Sequence, residues 1–290
     1  MSVLVNKNTR VLVQGITGTQ ASFHIKRSLE SGTQIVAGVS PQHGGELHLG
    51  VPVFNSIYEA RKQIHFDASV LFVPAMAVKN AVREAIEANI KLIVSIAQGV
   101  PVHDMLEIKG MLKDKPITMI GPNTPGIITP QEARLGIFPE NIHHKGKIGI
   151  ISRASTLTYE AVLETNLAGM GQSTVIGLGD DMIIGTDYTD LIKLFIEDEE
   201  TKAIIMIGKA DNTYEISAAG FYAALEHKKP IIAFVAGESL PYGYYMGYAY
   251  DIITRGRITV SDKKRIMREA GITVVNKMSD IHKVLQDMNL

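Results

Sequence analysis

An α/β fold with two successive parallel sheets is what this chain predicts, and three features carry that expectation. Short apolar runs suited to buried strands alternate with helical patterns along the whole sequence. Twice, such a run ends in a turn of small residues that opens straight into a helix, once near residue 15 and again near residue 152. Between the two series lies GPNTPGIITP at 121–130, with three prolines and two glycines in ten residues, which reads as an interdomain junction. The expected division is one α/β domain over 1–122, a junction over 123–146 and a second α/β domain over 147–290.

The first series starts with RVLVQGITGTQ at 10–20. Its apolar run closes at Gly15 and is followed by Thr17, Gly18, Thr19 and Gln20, then a helical pattern over 21–29. Backbone N–H groups at a helix start, just beyond a central strand, form a ready anion site because the unpaired donors and the positive end of the helix dipole point the same way. A ligand-free βα turn fits the G-x-x-G equally well. A nicotinamide dinucleotide is disfavoured: the second strand, 34–39, runs into Ser40 and Pro41 without the carboxylate that would hold a ribose hydroxyl.

Further strands are expected at 69–74, 91–96 and 118–121, with helices at 56–63, 78–88 and 103–113. Ligands of such sheets sit beyond the carboxyl ends of the strands, here around 15–17, 40–43, 73–75 and 97–99. Residues from the junction to about 145 carry no clear period. The second series then offers strands at 147–151, 173–178, 203–207, 230–235 and 273–275. Its helices are expected at 156–168, 214–226, 262–269 and 280–288, and Tyr188, Leu191, Ile192 and Phe195 mark one face of another.

Composition narrows the function classes. The 290 residues are 46% hydrophobic and 20% charged, with a net charge of −1 and no basic tract, so nothing points to nucleic acid. No apolar run approaches the ~20 residues of a membrane span, and MSVLVNKNTR lacks a signal-peptide layout. Without cysteine there is no disulfide or thiolate metal site, and no metal is expected. A cytoplasmic location is the expectation from these features.

With both strand–loop–helix turns in hand, the chain resembles the α subunit of succinate–CoA ligase (succinyl-CoA synthetase) over nearly its whole length. The motifs are GITGTQ, HLGVPVFN, VPA, GPNTPG, SRASTLTYEAV and MIG, in that order. The resemblance implies a Rossmann-like CoA-binding domain over 1–122 followed by a flavodoxin-like ligase domain over 147–290, a nucleotide-binding β subunit as partner, and a role in the tricarboxylic acid cycle. The family joins a dicarboxylic acid to CoA at the expense of a nucleoside triphosphate and carries phosphate on a histidine of the α subunit.

By the same resemblance, CoA contacts fall on Thr17, Gly18, Thr19, Gln20, Ser40, Pro41, His43, Val73, Pro74, Ile96, Ala97 and Gln98, and the acid on Tyr159 and Asn123. His43 stands where the family usually has lysine, so a fixed charge near the CoA phosphates is lost. Gln98 stands in place of a glutamate. CoA binding is expected to survive these two changes.

The catalytic positions depart further. Tyr245-Met246-Gly247-Tyr248 replaces arginine–methionine–glycine–histidine, which puts Tyr248 at the phosphorylated position. Imidazole titrates near 6.5 and phenol near 10, so only about one phenol in a thousand is ionised at neutral pH. Lys209 takes the place of the glutamate that orients the histidine, and a cation cannot do that task. Ala154 and Ser155 replace serine–glycine at the phosphate-binding helix start, and Asp180 puts negative charge where a glycine is usual. His143, His144, His227 and His282 read as solvated surface residues and offer no substitute carrier. Tyr242, Tyr244, Tyr245, Tyr248 and Tyr250 crowd the altered loop, as stacking or interface aromatics or as space filling.

Two functions are therefore weighed: a CoA-binding homologue without phosphohistidine turnover, or a working acid–CoA ligase α subunit (ADP- or GDP-forming) with an altered mechanism or acid. A nucleotide-dependent oxidoreductase is a third, and the missing ribose carboxylate counts against it.

Overall fold

A computed structural model describes residues 2–239, 258–288 and 290 of the chain. They form two compact units, one comprising Ser2–Asn141 with Ile176–Thr186 and the other Ile142–Val175 with Asp187–Leu290. Among the described residues no helix is long and apolar enough to cross a membrane.

The first unit runs β1 (Arg10–Gln14), α1 (Thr19–Glu30), β2 (Gln34–Val39), β3 (Leu47–His48), β4 (Val51–Phe54), α2 (Ile57–Arg61) and β5 (Ala68–Leu71). It continues with α3 (Val78–Glu87), β6 (Leu92–Ser95), α4 (Val102–Leu112), β7 (Thr118–Ile120), β8 (Gly126–Thr129) and β9 (Ala133–Gly136). Its main sheet has the order β3-β4-β2-β1-β5-β6-β7. All pairs are parallel except the short β3–β4 edge. The strand order therefore reverses at β1 and β5, where a crevice opens in doubly wound sheets.

Burial on both faces explains why β5 and β6 read as continuous apolar runs rather than alternating ones. On one face Leu12, Leu71, Ile93 and Met119 from four strands pack against Ile57, Val82, Ile86, Met105 and Ile108 from α2, α3 and α4. On this face the buried Gln14 amide donates to Ser69 Oγ and to the Ala81 carbonyl, each at 3.1 Å.

Two stretches differ from the sequence expectation. The region after the junction is regular, because β8 and β9 pair antiparallel with Ile127 opposite Leu135 and Ile128 opposite Arg134. Gly126 and Gly136 let the two backbones meet: a Cβ on Gly126 would lie 2.0 Å from the Leu135 carbonyl oxygen. Strands of four residues, β8 lying between Pro125 and Pro130, are too short for periodicity to reveal. The edge pair β3–β4 escaped notice for the same reason.

The second unit holds β10 (Lys145–Ser152), α5 (Ser155–Leu167), β11 (Gln172–Gly177), α6 (Tyr188–Glu197) and β12 (Ala203–Lys209). Then come α7 (Tyr214–Ala223), β13 (Ile231–Ala236), α8 (Val260–Glu269), β14 (Thr273–Val274) and α9 (Ile281–Asp287). The strands take the order β14-β13-β12-β10-β11, with β10, β12, β13 and β14 paired in parallel. Asp187 and Asp190 form a capping box that starts α6, and Thr259 and Asp262 do the same for α8.

The histidines are less uniform than the sequence implied. His143 is buried. His282 is half-buried at the start of α9, with its Nδ1 2.7 Å from the Glu164 carboxylate on α5. Both elements pack at positions that surface periodicity cannot distinguish from solvated ones.

A buried ion pair organises the end of β12. Lys263 Nζ on α8 lies 3.0 Å from Glu215 Oε2 on α7, and both side chains are essentially fully buried. Glu215 Oε1 also accepts the Lys209 N–H at 3.0 Å, and Lys263 Nζ donates to the Lys209 carbonyl at 2.6 Å. The desolvation cost of both charges is thus offset by three mutually supporting hydrogen bonds.

Two stability outcomes follow from this packing. Ile93→Ala, at a fully buried position, is expected to cost about 3 kcal/mol, and Leu47→Ala, on the exposed edge, within ~0.5 kcal/mol, as read by urea unfolding. Lys263→Met, which leaves the Glu215 carboxylate buried without its cation, should cost about 3–5 kcal/mol. Adding Glu215→Gln should recover part of that loss.

Candidate functional site

The carboxyl ends of β2, β1, β5 and β6 lie side by side in the sheet and carry the four loops singled out above. Gly15 closes β1 with φ +80°, and its N–H donates to the Val39 carbonyl at 2.8 Å. A Cβ at Gly15 would stand 2.6 Å from the Phe72 carbonyl oxygen. The positive φ and this close approach both demand glycine. The Gly18 N–H returns to the Gly15 carbonyl at 3.1 Å and completes the turn into α1.

Gly18 is the N-cap of α1, no side chain caps the helix, and its first turn holds no acidic residue. Gly18, Thr19 and Gln20 are exposed. This helix start thus offers backbone donors and the positive dipole end to an anion.

Neighbouring loops brace it. Thr17 Oγ1 and Ser40 Oγ share a hydrogen bond at 2.7 Å, linking the loops after β1 and β2, and Ser40 is buried. Pro41 is exposed, and beyond it the Asn55 side-chain oxygen accepts from the Gln42 and Gly44 N–H groups at 2.9 and 3.2 Å. His43 is half-exposed and turns to Glu46, with Nδ1 3.1 Å from the carboxylate. A carboxylate therefore sits beside His43.

After β5, Val73 is half-buried and Pro74 exposed. After β6, Ile96 and Ala97 are half-buried and Gln98 is exposed. The Asn123 N–H donates to the Ala97 carbonyl at 2.8 Å. The Asn123 side-chain amide donates to Asp181 Oδ1 at 3.0 Å, and Asp181 Oδ2 accepts the Gly99 N–H at 3.2 Å. Asn123 has φ +57°, a conformation asparagine tolerates better than most residues.

Three participants were not singled out from sequence. Ser22, one turn into α1, donates from Oγ to the Gly18 carbonyl at 2.9 Å. His48 on β3 meets the same oxygen through Nε2 at 2.7 Å. Asp181 is the third. The HLGVPVFN motif contained His48, but its distance from Ser22 in sequence hid the contact.

In the second unit the turn from β10 into α5 is held by Ser152, whose Oγ accepts the Ala154 N–H at 3.1 Å. Ala154 is the N-cap and supplies no side-chain acceptor, and Ser155 opens the helix. Thr158 Oγ1 donates to the Ala154 carbonyl at 2.8 Å. Tyr159, one residue on, is half-buried.

Arg153 is fully buried, with its guanidinium 5.0 Å over the Tyr214 ring and Nη2 3.8 Å from Asp211. Burial works against its charge, but Asp211 foremost, with Tyr188, Glu215 and Tyr214, holds its pKa above the ordinary arginine value. Burial, and next Glu215, push the Tyr188 phenol well above its usual range, and its hydroxyl donates to the Ile207 carbonyl at 2.5 Å.

Lys209 is buried at the end of β12, its backbone gripped on both sides by the Glu215–Lys263 pair. Asp180 belongs to the compact unit of the first sheet, where its N–H donates to the Asn123 carbonyl at 3.0 Å. Tyr242, Tyr244, Tyr245, Tyr248 and Tyr250 lie outside the described residues. No cluster of three or more histidine and carboxylate side chains suited to a metal occurs among the described residues.

Comparison with known proteins gives these sites their context. Residues 6–99 match the CoA binding domain family, and residues 151–274 match the CoA-ligase family. The succinate–CoA ligase [ADP-forming] subunit alpha of Staphylococcus epidermidis is 42% identical over 287 residues, covering 99% of this chain and 95% of that protein. Its counterpart from Staphylococcus aureus is 42% identical over 285 residues, covering 98% and 94%.

Among solved structures, ATP citrate lyase from Methanothrix soehngenii, in complex with citrate and coenzyme A, superposes with a TM-score of 0.86 at 21% identity. That match covers 98% of this chain but 50% of the other, so the chain spans half the length of that structure. The dinucleotide forming acetyl-coenzyme A synthetase 1 of Ca. Korarchaeum cryptofilum gives 0.75 at 18% identity, covering 96% and 60%. At these identities the structural likeness shows the fold alone. The matched CoA-binding and CoA-ligase domains and the near full-length likeness to the staphylococcal subunits together show that this chain belongs to the succinate–CoA ligase α-subunit family.

Proposed function

We propose that this chain is a CoA-binding α-type subunit that does not perform phosphohistidine turnover. The observation that carries the reading is Lys209. It is buried at the carboxyl end of β12, where the resemblance calls for the glutamate that orients the phosphate-carrying histidine. An ammonium at that point repels an imidazolium and cannot accept the imidazole N–H. Tyr248 at the carrier position in the sequence, and the missing side-chain cap at Ala154, support the same conclusion.

On this reading CoA lies across the carboxyl ends of β1, β2, β5 and β6. Its phosphates meet the exposed helix start at Gly18, Thr19 and Gln20. Thr17, Ser40, Pro41 and His43 line one side and Val73, Pro74, Ile96, Ala97 and Gln98 the other. A β subunit of the CoA-ligase type is the proposed partner, Tyr159 and Asn123 are the proposed contacts of a small carboxylic acid, and the cytoplasm is the proposed location.

Radiolabel transfer separates this reading from a working ligase. The purified chain, mixed with a β subunit of the family and a γ-labelled nucleoside triphosphate, is expected to take up no acid-labile label. Acid-stable label that disappears in Tyr248→Phe would replace the proposal with a tyrosine-carried ligase.

Calorimetric titration with CoA is expected to give saturable binding near the micromolar range. Restoring the fixed charge with His43→Lys should tighten it about fivefold, because a charged donor to phosphate is worth about 1 kcal/mol more than a neutral one. The gain should shrink as salt is raised.

A further inference from the structure

Arg134 projects from β9 into the unit that carries the CoA loop and is buried, with 3% of its surface exposed. Its guanidinium is committed in several directions at once. Nε donates to the Phe138 carbonyl at 2.5 Å, and Nη1 donates to the His24 carbonyl at 2.9 Å and to Ser28 Oγ at 2.8 Å. Nη2 faces His24 Nδ1 at 3.3 Å. His24 and Ser28 both belong to α1, the helix whose first turn forms the anion site.

On its other side the His24 ring stacks on Phe72, with centroids 6.1 Å apart and planes inclined by 11°. Phe72 follows β5 directly, its N–H donates to the Gln14 carbonyl at 2.9 Å, and its own carbonyl fills the space where Gly15 has no Cβ. The contacts therefore run without a break from Arg134 through His24 to Phe72 and the Gly15 turn.

We propose that His24 is a positioning residue for the CoA-binding loop, and that its protonation releases α1 from Arg134 so that CoA affinity falls in acid. The proposal rests on the CoA-binding reading of this loop. Arginine has only donors, so Nδ1 must accept, which leaves the ring neutral with its proton on Nε2. Protonation puts N–H against N–H and sets an imidazolium beside a guanidinium.

The charges that act on His24 are both cations, Arg134 from β9 and Arg27 from its own helix, and Phe72 brings none. Burial first, then these two arginines, hold its pKa below the ordinary 6.5. A histidine depressed in this way contributes stability that is fully present above 6.5 and is lost as pH falls through the lower, folded-state value.

The test is titration of the full chain with dephospho-CoA from about pH 7.5 to about pH 5, comparing wild type with His24→Asn and His24→Phe. Dephospho-CoA lacks the 3′-phosphate, whose own titration near pH 6 would obscure the result. His24→Asn keeps an acceptor close to Nδ1 and does not titrate. His24→Phe keeps the stack on Phe72 without the acceptor.

Wild-type affinity is expected to fall about threefold or more across this range relative to His24→Asn. His24→Phe should bind more weakly at every pH, with His24→Asn recovering most of that loss at pH 7.5. Wild type and His24→Asn share every other residue, so the ratio between them isolates His24. Parallel pH profiles for wild type and His24→Asn would sink the inference and leave the CoA reading intact. Absence of CoA binding to wild type at any pH would overturn both.

Discussion

The close approach of β1 and β5 at their carboxyl ends is the constraint on which the first unit depends. The strand order reverses here, so the loops leave in opposite directions and open a crevice between them. The crevice is narrow because the Phe72 carbonyl occupies the place of a Cβ on Gly15. Any side chain at Gly15 would push β5 away and turn the start of α1. The paired hydroxyls of Thr17 and Ser40, and the contact of His48 with Ser22, then hold that helix start against the flanking loops. The exposed N–H groups are thus supported by an arrangement in which nearly every polar atom has a partner.

The corresponding region of the second unit is built on charge rather than on glycine. Arg153, Lys209 and Lys263 are buried near the ends of β10 and β12, together with the buried carboxylate of Glu215. Cations buried at this density persist only where hydrogen bonds and opposite charges offset their desolvation, and Glu215 and Asp211 supply part of that compensation. Lys209 adds a third buried cation to this group, and so bears on which charge state any group placed there prefers.

Much of the architecture was legible in the sequence. Buried parallel strands such as β6 and β12 are continuous apolar runs, and α3 and α6 have a clear apolar face. The short pairs β3–β4 and β8–β9 were not legible, since a strand of two to four residues contains too little of its period to stand out. The burial of His143 and half-burial of His282 were not legible either, because burial of a histidine depends on what another element brings against it.

Residue patterns alone carried the two α/β series and the glycine turn into α1, because local chemistry dictates both, while the family rested on a resemblance along nearly the whole chain. A glycine where φ is positive and an apolar run where both faces are covered can each be recognised within a few neighbouring residues. Only the tertiary structure decided that Arg134 grips His24 across 110 positions, that Asp181 binds Asn123 across 58, and that Lys263 pairs with Glu215 across 48. Such partners are chosen by chain crossings and by the desolvation of groups that meet only after folding, and no local pattern in the sequence records which charge will face which.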